Sequence, residues 1–150
     1  QVQSWLFNKA DNLSDLNIGY IKLACKLMNI RPNFRYSSDM PSQGKASSLV
    51  LELLRITQAT HYLCARGSFS YMHGDKVFPV EDIEVLFQNY NVLPYKQIGA
   101  KDSFIPNLSV LDALFNIGPV ATLDLIRKGK SRWDTWEDML CLAVTKEGRE

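Results

Sequence analysis

The sequence predicts an α/β domain: a mainly parallel sheet with helices on both faces, Rossmann-like and three-layered, followed by a helical C-terminal extension. Three observations predict it. Apolar residues recur at helical spacing in several separate stretches. Short apolar or alternating runs, the length of strands, lie between them. The chain joining these runs is long enough to carry a crossover helix, which parallel pairing requires. The α/β domain is assigned to residues 1–128 and the extension to residues 129–150.

Residues 1–11 are irregular, with Trp5, Leu6 and Phe7 as a small apolar knot. Leu13, Leu16, Tyr20, Leu23, Ala24 and Leu27 then form a wide helical stripe, with Asn12 or Ser14 able to cap its start and Asn29 ending it. Residues 30–37 alternate, Phe34 and Tyr36 against Arg35 and Ser37, which predicts a short strand after the Arg31-Pro32 turn. A polar loop over 38–44 leads to an amphipathic helix over 46–59, with Leu49, Val50, Leu53, Leu54 and Ile56 facing inward. Residues 60–65 are a continuous apolar run, the mark of a strand covered on both faces. A loop opens at Arg66-Gly67-Ser68, one helical turn is expected around Tyr71, and Gly74-Asp75 turns the chain. Residues 83–90, rich in β-branched and aromatic side chains, read as another strand, and 91–102 as a loop carrying Tyr95, Lys96 and Gln97.

Residues 104–119 are the most informative stretch. Leu108, Leu111, Leu114, Phe115 and Ile117 recur at three and four and predict a core face, while Ser109, Asp112 and Asn116 form a polar stripe on the same helix. Pro106 fixes how the chain enters this helix. Gly118 can take the positive φ that ends it, and Pro119 fits the first turn of a second helix over 120–128. A third amphipathic helix is expected over 132–144, holding Trp133, Trp136, Met139, Leu140 and Leu142 and capped by Ser131.

At 150 residues, with 46% hydrophobic and 22% charged content, the chain can bury a core without disulfides or metal. A net charge of +1 gives no electrostatic reason to expect nucleic acid or an anionic membrane, so any anion site is local. The three cysteines, Cys25, Cys64 and Cys141, form no CxxC or Cys/His spacing; this points to a reducing, cytoplasmic setting and no metal site. No apolar run reaches the roughly 20 residues that span a bilayer. The chain opens on Gln1 rather than Met, which reads as a processed product or an excised piece.

In sheets of this kind ligands sit beyond the carboxyl ends of the strands. Those ends are Arg35-Tyr36-Ser37-Ser38, Arg66-Gly67-Ser68 and Gln88-Asn89-Tyr90, all polar and able to hydrogen-bond. Arg35 and Arg66 can fork onto a phosphate or carboxylate, with the Gly67 and Ser68 N–H groups beside them and Ser37 as a further binding side chain. Tyr71 offers a stacking face, and Tyr95, Gln97 and Asn116 can hydrogen-bond a sugar or an amide. The alternative is that Arg35 and Arg66 pair with surface acids such as Asp39 and Asp75, where ion pairs are worth little. Cys64 is either a thiolate nucleophile or a small buried hydrophobe.

Leu27-Met28-Asn29-Ile30 with Arg35-Tyr36-Ser37-Ser38, Ala59-Thr60-His61-Tyr62-Leu63 leading to Gly67 and Tyr71, Tyr95-Lys96-Gln97, and above all the run from Phe104 to Pro119 resemble the downstream part of the WbqC-like family, over about residues 12–128. The family's upstream half, opening with a strand that ends in a His-Gln-Pro motif, has no counterpart here. The resemblance implies a part of an amino-acyl or acyl (glycine-type) transferase in bacterial O-antigen, glycan or secondary-metabolite biosynthesis, acting on a small-molecule or sugar-linked substrate. It names no cofactor. Amide formation needs a base near the amine and donors for the oxyanion. Asp112 and Ser109 in the most specific motif, and His73 as a titrating side chain, are the catalytic candidates; for Asp112 the other role is capping or a hydrogen-bond network. A nucleotidyltransferase is disfavoured because no phosphate-cradling glycine run is present. A different class of function is a docking or specificity module of a larger enzyme, meeting a partner domain or a second copy through Trp133, Trp136 and residues 1–7.

Overall fold

The computed structural model describes residues 12–99 and 103–147, so the apolar knot at Trp5, Leu6 and Phe7 lies outside the described residues. The chain forms two compact units: residues 1–34 with 92–129, and residues 35–91 with 130–150.

The first unit holds α1, Leu13–Leu27, and α4, Val110–Gly129. Asn12 caps α1 by accepting the Asp15 N–H at 2.9 Å, and Asn29 ends it in the left-handed conformation at φ 53°. Asn tolerates that conformation better than most side chains. Two helical segments make up α4, joined at Gly118, whose φ of 75° and ψ of 169° belong to a region that essentially only glycine occupies. Pro119 then opens the second segment, as its spacing predicts, and the buried Thr122 hydroxyl donates to the Gly118 carbonyl at 2.7 Å. A Cβ at Gly118 would meet no heavy atom within 4 Å. Gly118→Ala therefore tests backbone strain alone: it is expected to destabilise by about 1–3 kcal/mol in urea unfolding, and an unchanged midpoint would contradict the assignment. The core face expected on this helix is only partly realised. Ala113 is buried, but Leu108 and Phe115 are exposed, Phe115 at 66%.

The second unit begins with a 3-10 turn, Ser37–Asp39, preceded by chain in no regular structure; the strand expected over 30–37 does not form. Alternation there has no neighbouring strand to pair with. Next comes α2, Ala46–Ile56, its leading loop tied down by Glu52, which accepts the Gln43 and Gly44 N–H groups at 2.9 and 3.0 Å. Strand β1, His61–Ala65, is followed by a 3-10 turn, Arg66–Ser68, that runs into α3, Phe69–Asp75. The single turn expected around Tyr71 is thus a full short helix, and Lys76, at φ 56°, turns the chain in place of Gly74-Asp75. Strand β2 is Glu84–Tyr90, β3 is Lys130–Asp134, and α5 is Trp136–Glu147.

The sheet has the order β1-β2-β3; β1 and β2 are parallel, but β3 runs antiparallel to β2, with Phe87 opposite Asp134. It is a mixed three-stranded sheet, not the mainly parallel Rossmann-like one that the sequence predicts. The difference lies at residues 130–134: the helix expected over 132–144, with Ser131 as its cap, gives up its first residues to β3. They pair with β2 instead, and the helix starts at Trp136. Thr135, not Ser131, is its cap: the Thr135 hydroxyl accepts the Asp138 N–H at 3.2 Å while the Asp138 carboxylate accepts the Thr135 N–H at 3.0 Å.

One face of this sheet carries the core. Val85 and Phe87 of β2, with Tyr62 and Cys64 beside them on β1, pack under Phe69 and Met72 of α3 and Trp136 and Met139 of α5. The Phe87 ring has no solvent exposure and meets Phe69 edge-on at 5.7 Å and Trp136 at 5.8 Å. On the other face His61, Leu63, Glu84 and Tyr90 are exposed, so β1 alternates in burial rather than being covered on both faces. No helix among the described residues is long and apolar enough to cross a membrane.

Candidate functional site

The carboxyl end of β1 delivers Arg66 to the rim of a cleft of about 350 Å³, lined also by Gly67, Phe69, Ser70, Met139 and Leu142. The guanidinium is fixed from behind. Its Nε lies 2.6 Å from Oδ2 of Asp134, whose side chain is wholly buried on the core face of β3, and its Nη1 donates to Asn89 Oδ1 at 3.5 Å. The Arg66–Asp134 contact is an ion pair without hydrogen-bond alignment, whereas Arg132 Nε donates to the other Asp134 oxygen at 2.8 Å. Two cations share one buried carboxylate, which leaves positive charge facing solvent. Neither surface acid expected to quench Arg66 does so: Asp75 accepts the Ser47 hydroxyl at 2.7 Å, and Asp39 the Ser38 hydroxyl at 3.2 Å. Sequence reasoning missed Asp134. It lies between Trp133 and Trp136 with Arg132, Glu137 and Asp138 close by, and nothing in that run marks it as buried.

Ser68 is half-buried, is not among the residues lining the cleft, and hydrogen-bonds Cys64, whose thiol burial pushes up to about 11. At that value the thiolate is scarce at neutral pH, which fits the small-hydrophobe role. Tyr71 is exposed on α3. His73, one turn beyond Phe69, stacks on that ring at 5.4 Å with Trp136 at 6.4 Å. Trp136 itself is a core residue, 5% exposed, so it offers no docking surface. Arg35 and Ser37 line a different cleft, of about 380 Å³, with Met40, Val50, Leu53, Leu54, Thr57 and Tyr62. The two arginines read as neighbours thus serve separate clefts of one unit.

In the first unit the polar stripe forms as its spacing predicts and recruits the preceding loop. The Asp112 carboxylate accepts the Tyr95 hydroxyl at 2.7 Å, Gln97 Nε2 at 2.9 Å and Asn116 Nδ2 at 3.0 Å. Gln97 is clamped on both ends, donating to the Ile105 carbonyl at 3.0 Å and accepting the Ile105 N–H at 2.8 Å. Asn116 accepts the Ile98 N–H at 2.6 Å, and the Tyr95 ring meets Phe104 edge-on at 5.2 Å. Ser109 is the helix cap: its hydroxyl oxygen accepts the Leu111 N–H at 3.3 Å and lies 3.3 Å from the Tyr20 hydroxyl. The Tyr95 hydroxyl, then Gln97 and Asn116, hold the Asp112 carboxyl below its ordinary value of 3.8. A carboxylate held low and given three donors is an acceptor that organises a loop, and a weak base at neutral pH. Its contribution to stability is present above the ordinary value and is lost as pH falls through the lowered one. Asp112→Asn is accordingly expected to destabilise at pH 7, and the gap from the parent to narrow below about pH 4 in urea unfolding. A gap independent of pH would show that the charge is not what matters.

Among the described residues no group of three or more His, Cys, Asp or Glu is placed to hold a metal ion. The sequence profile of the WbqC-like protein family matches residues 1–123. The chain belongs to that family. The match begins earlier and ends sooner than the 12–128 marked out by the motifs, and takes in all of the Phe104–Pro119 run. The WbqC-like chain is also 29% identical over 118 residues to Rv1507c, an uncharacterized protein of Mycobacterium tuberculosis; the aligned part is 78% of this chain and 50% of that protein. The chain therefore spans about half the length of that relative. No solved structure matches it.

Proposed function

We propose that this WbqC-like chain is part of an amino-acyl or acyl transferase of bacterial glycan or secondary-metabolite assembly, and that it holds a phosphate- or carboxylate-bearing donor at the end of β1. The observation that carries the reading is Arg66, locked by the buried Asp134 at the rim of a cleft. A guanidinium already fixed in place loses little freedom on binding, and its fork suits an anionic oxygen pair. Gly67 and Ser68 flank it, and Tyr71 and His73 follow on α3, with His73 as the proton-handling side chain of the reading. Family membership supports the class of chemistry. Asp112, with Ser109, Tyr95, Gln97 and Asn116, acts in this reading as a positioning network that ties Ile98 and Ile105 to the start of α4.

Thermal shift and calorimetry against coenzyme A, ATP, nucleotide-sugars and glycine test it, run on the parent, Arg66→Lys and Asp112→Asn. A ligand that raises the melting temperature of the parent, and binds Arg66→Lys at least tenfold more weakly, is the expected result. Equal binding by parent and variant would sink the assignment of the donor to this cleft. A second reading, a docking module of a longer enzyme, draws on the exposed Leu63 and Tyr90 of the sheet and on the chain's covering half of its relative. It expects silence across the panel from a folded parent.

A further inference from the structure

The cleft of about 380 Å³ on α2 has no part in the reading above and shares no lining residue with the Arg66 cleft. Its floor is apolar: Met40, Val50, Leu53 and Leu54, with the Tyr62 ring as a wall stacked on Phe78 at 6.3 Å. The only other polar lining residue, Thr57, already donates its hydroxyl to the Leu53 carbonyl at 2.8 Å. Arg35, Ser37 and Tyr62 complete the lining, and none of their polar side-chain groups has a hydrogen bond or ion pair to a side chain among the described residues. Burial pushes the Tyr62 hydroxyl upward, so it stays protonated and able to donate at neutral pH. A concave apolar floor with a few convergent polar groups is what small-molecule sites are made of. Here all three of these groups can donate, and one is permanently cationic.

We infer that this cleft binds an organic carboxylate with an apolar body, its charged head on Arg35 with Ser37 and Tyr62, and its chain along Leu53, Leu54, Val50 and Met40. The volume suits a body of about six to ten carbons. The head is specified by charge and the body by burial, so neither alone should bind well.

Octanoate, octanamide and acetate, titrated calorimetrically into the parent and Arg35→Ala, separate these contributions. Arg35 is exposed and unpaired, so its removal should leave the fold intact, which circular dichroism checks. Saturable octanoate binding is expected, with octanamide and the Arg35→Ala complex each at least tenfold weaker and acetate undetected. Ser37→Trp, which places a bulky ring in the lining, should also abolish octanoate binding. Octanoate and octanamide binding alike, or octanoate binding Arg35→Ala as well as the parent, overturns the inference. So does a folded parent that binds no octanoate up to about 10 mM, a concentration that would reveal even millimolar affinity. Because the clefts are separate, loss of octanoate binding leaves the Arg66 result standing, and the reverse.

Discussion

Arg66→Ala is expected to destabilise the protein by about 2–4 kcal/mol, far more than a partly exposed arginine usually contributes. The loss comes from the partner: Asp134 has no exposure, and without Arg66 only Arg132 remains to neutralise it. Removing one member of a buried pair typically costs about 3–5 kcal/mol, because it strands a charge rather than because the pair itself was so favourable. The remaining Arg132 contact argues for the lower part of that range. Asp134→Leu, which puts an apolar side chain opposite Phe87, should relieve the stranded charge, so Arg66→Ala/Asp134→Leu is expected to recover most of the loss. A double-mutant cycle in urea measures the coupling. If the two losses simply add, the buried carboxylate is not what fixes Arg66, and the preorganised anion site loses its physical basis.

Phe87→Ala is the largest expected effect in the core, about 3–5 kcal/mol, since the ring is wholly buried and its contacts on Phe69 and Trp136 cannot be remade by a methyl group. Phe87→Leu should lose less, because much of the volume is kept. Trp136 lies 5.8 Å from the Phe87 ring and gives an intrinsic fluorescence readout of the same transition. A midpoint shift of less than about 1 kcal/mol for the alanine variant would mean that the core of this unit can collapse around the cavity.

Local chemistry in the sequence located much of this molecule, and non-local pairing decided what it missed. The Asn12 cap, the Asn29 stop, the Gly118-Pro119 joint and the Ser109-Asp112-Asn116 stripe are all written within a few residues, where one backbone preference or one helical turn settles the outcome. The strand at 130–134 was not legible, because its pairing depends on β2, far away in the chain, and its aromatic content suits a helix as well as a strand. For the same reason the sheet was expected parallel: a strand's direction belongs to its neighbour. The 30–37 stretch is the converse, an alternating run with no partner strand. Around Asp112 the spacing showed which polar groups share a face, but not that Tyr95 and Gln97 would close on them from the preceding loop. Asp134 lay out of reach altogether, since nothing local tells a buried carboxylate from a solvated one.

The junction between β2 and β3 has a topological consequence. Tyr90 pairs with Lys130, so the last residue of one strand and the first of the next already stand opposite each other across an antiparallel ladder. Residues 91–129 are thus an insertion at the tip of a β-hairpin, and the closing of that hairpin must wait for the two strands to meet through a long excursion. Each doubling of such a loop adds only about 0.6 kcal/mol of closure entropy, so the architecture tolerates the insertion thermodynamically while folding more slowly for it. It also marks where the protein can be cut. An Asn-Gly turn in place of residues 91–129 would leave both clefts and the aromatic core on one short contiguous chain.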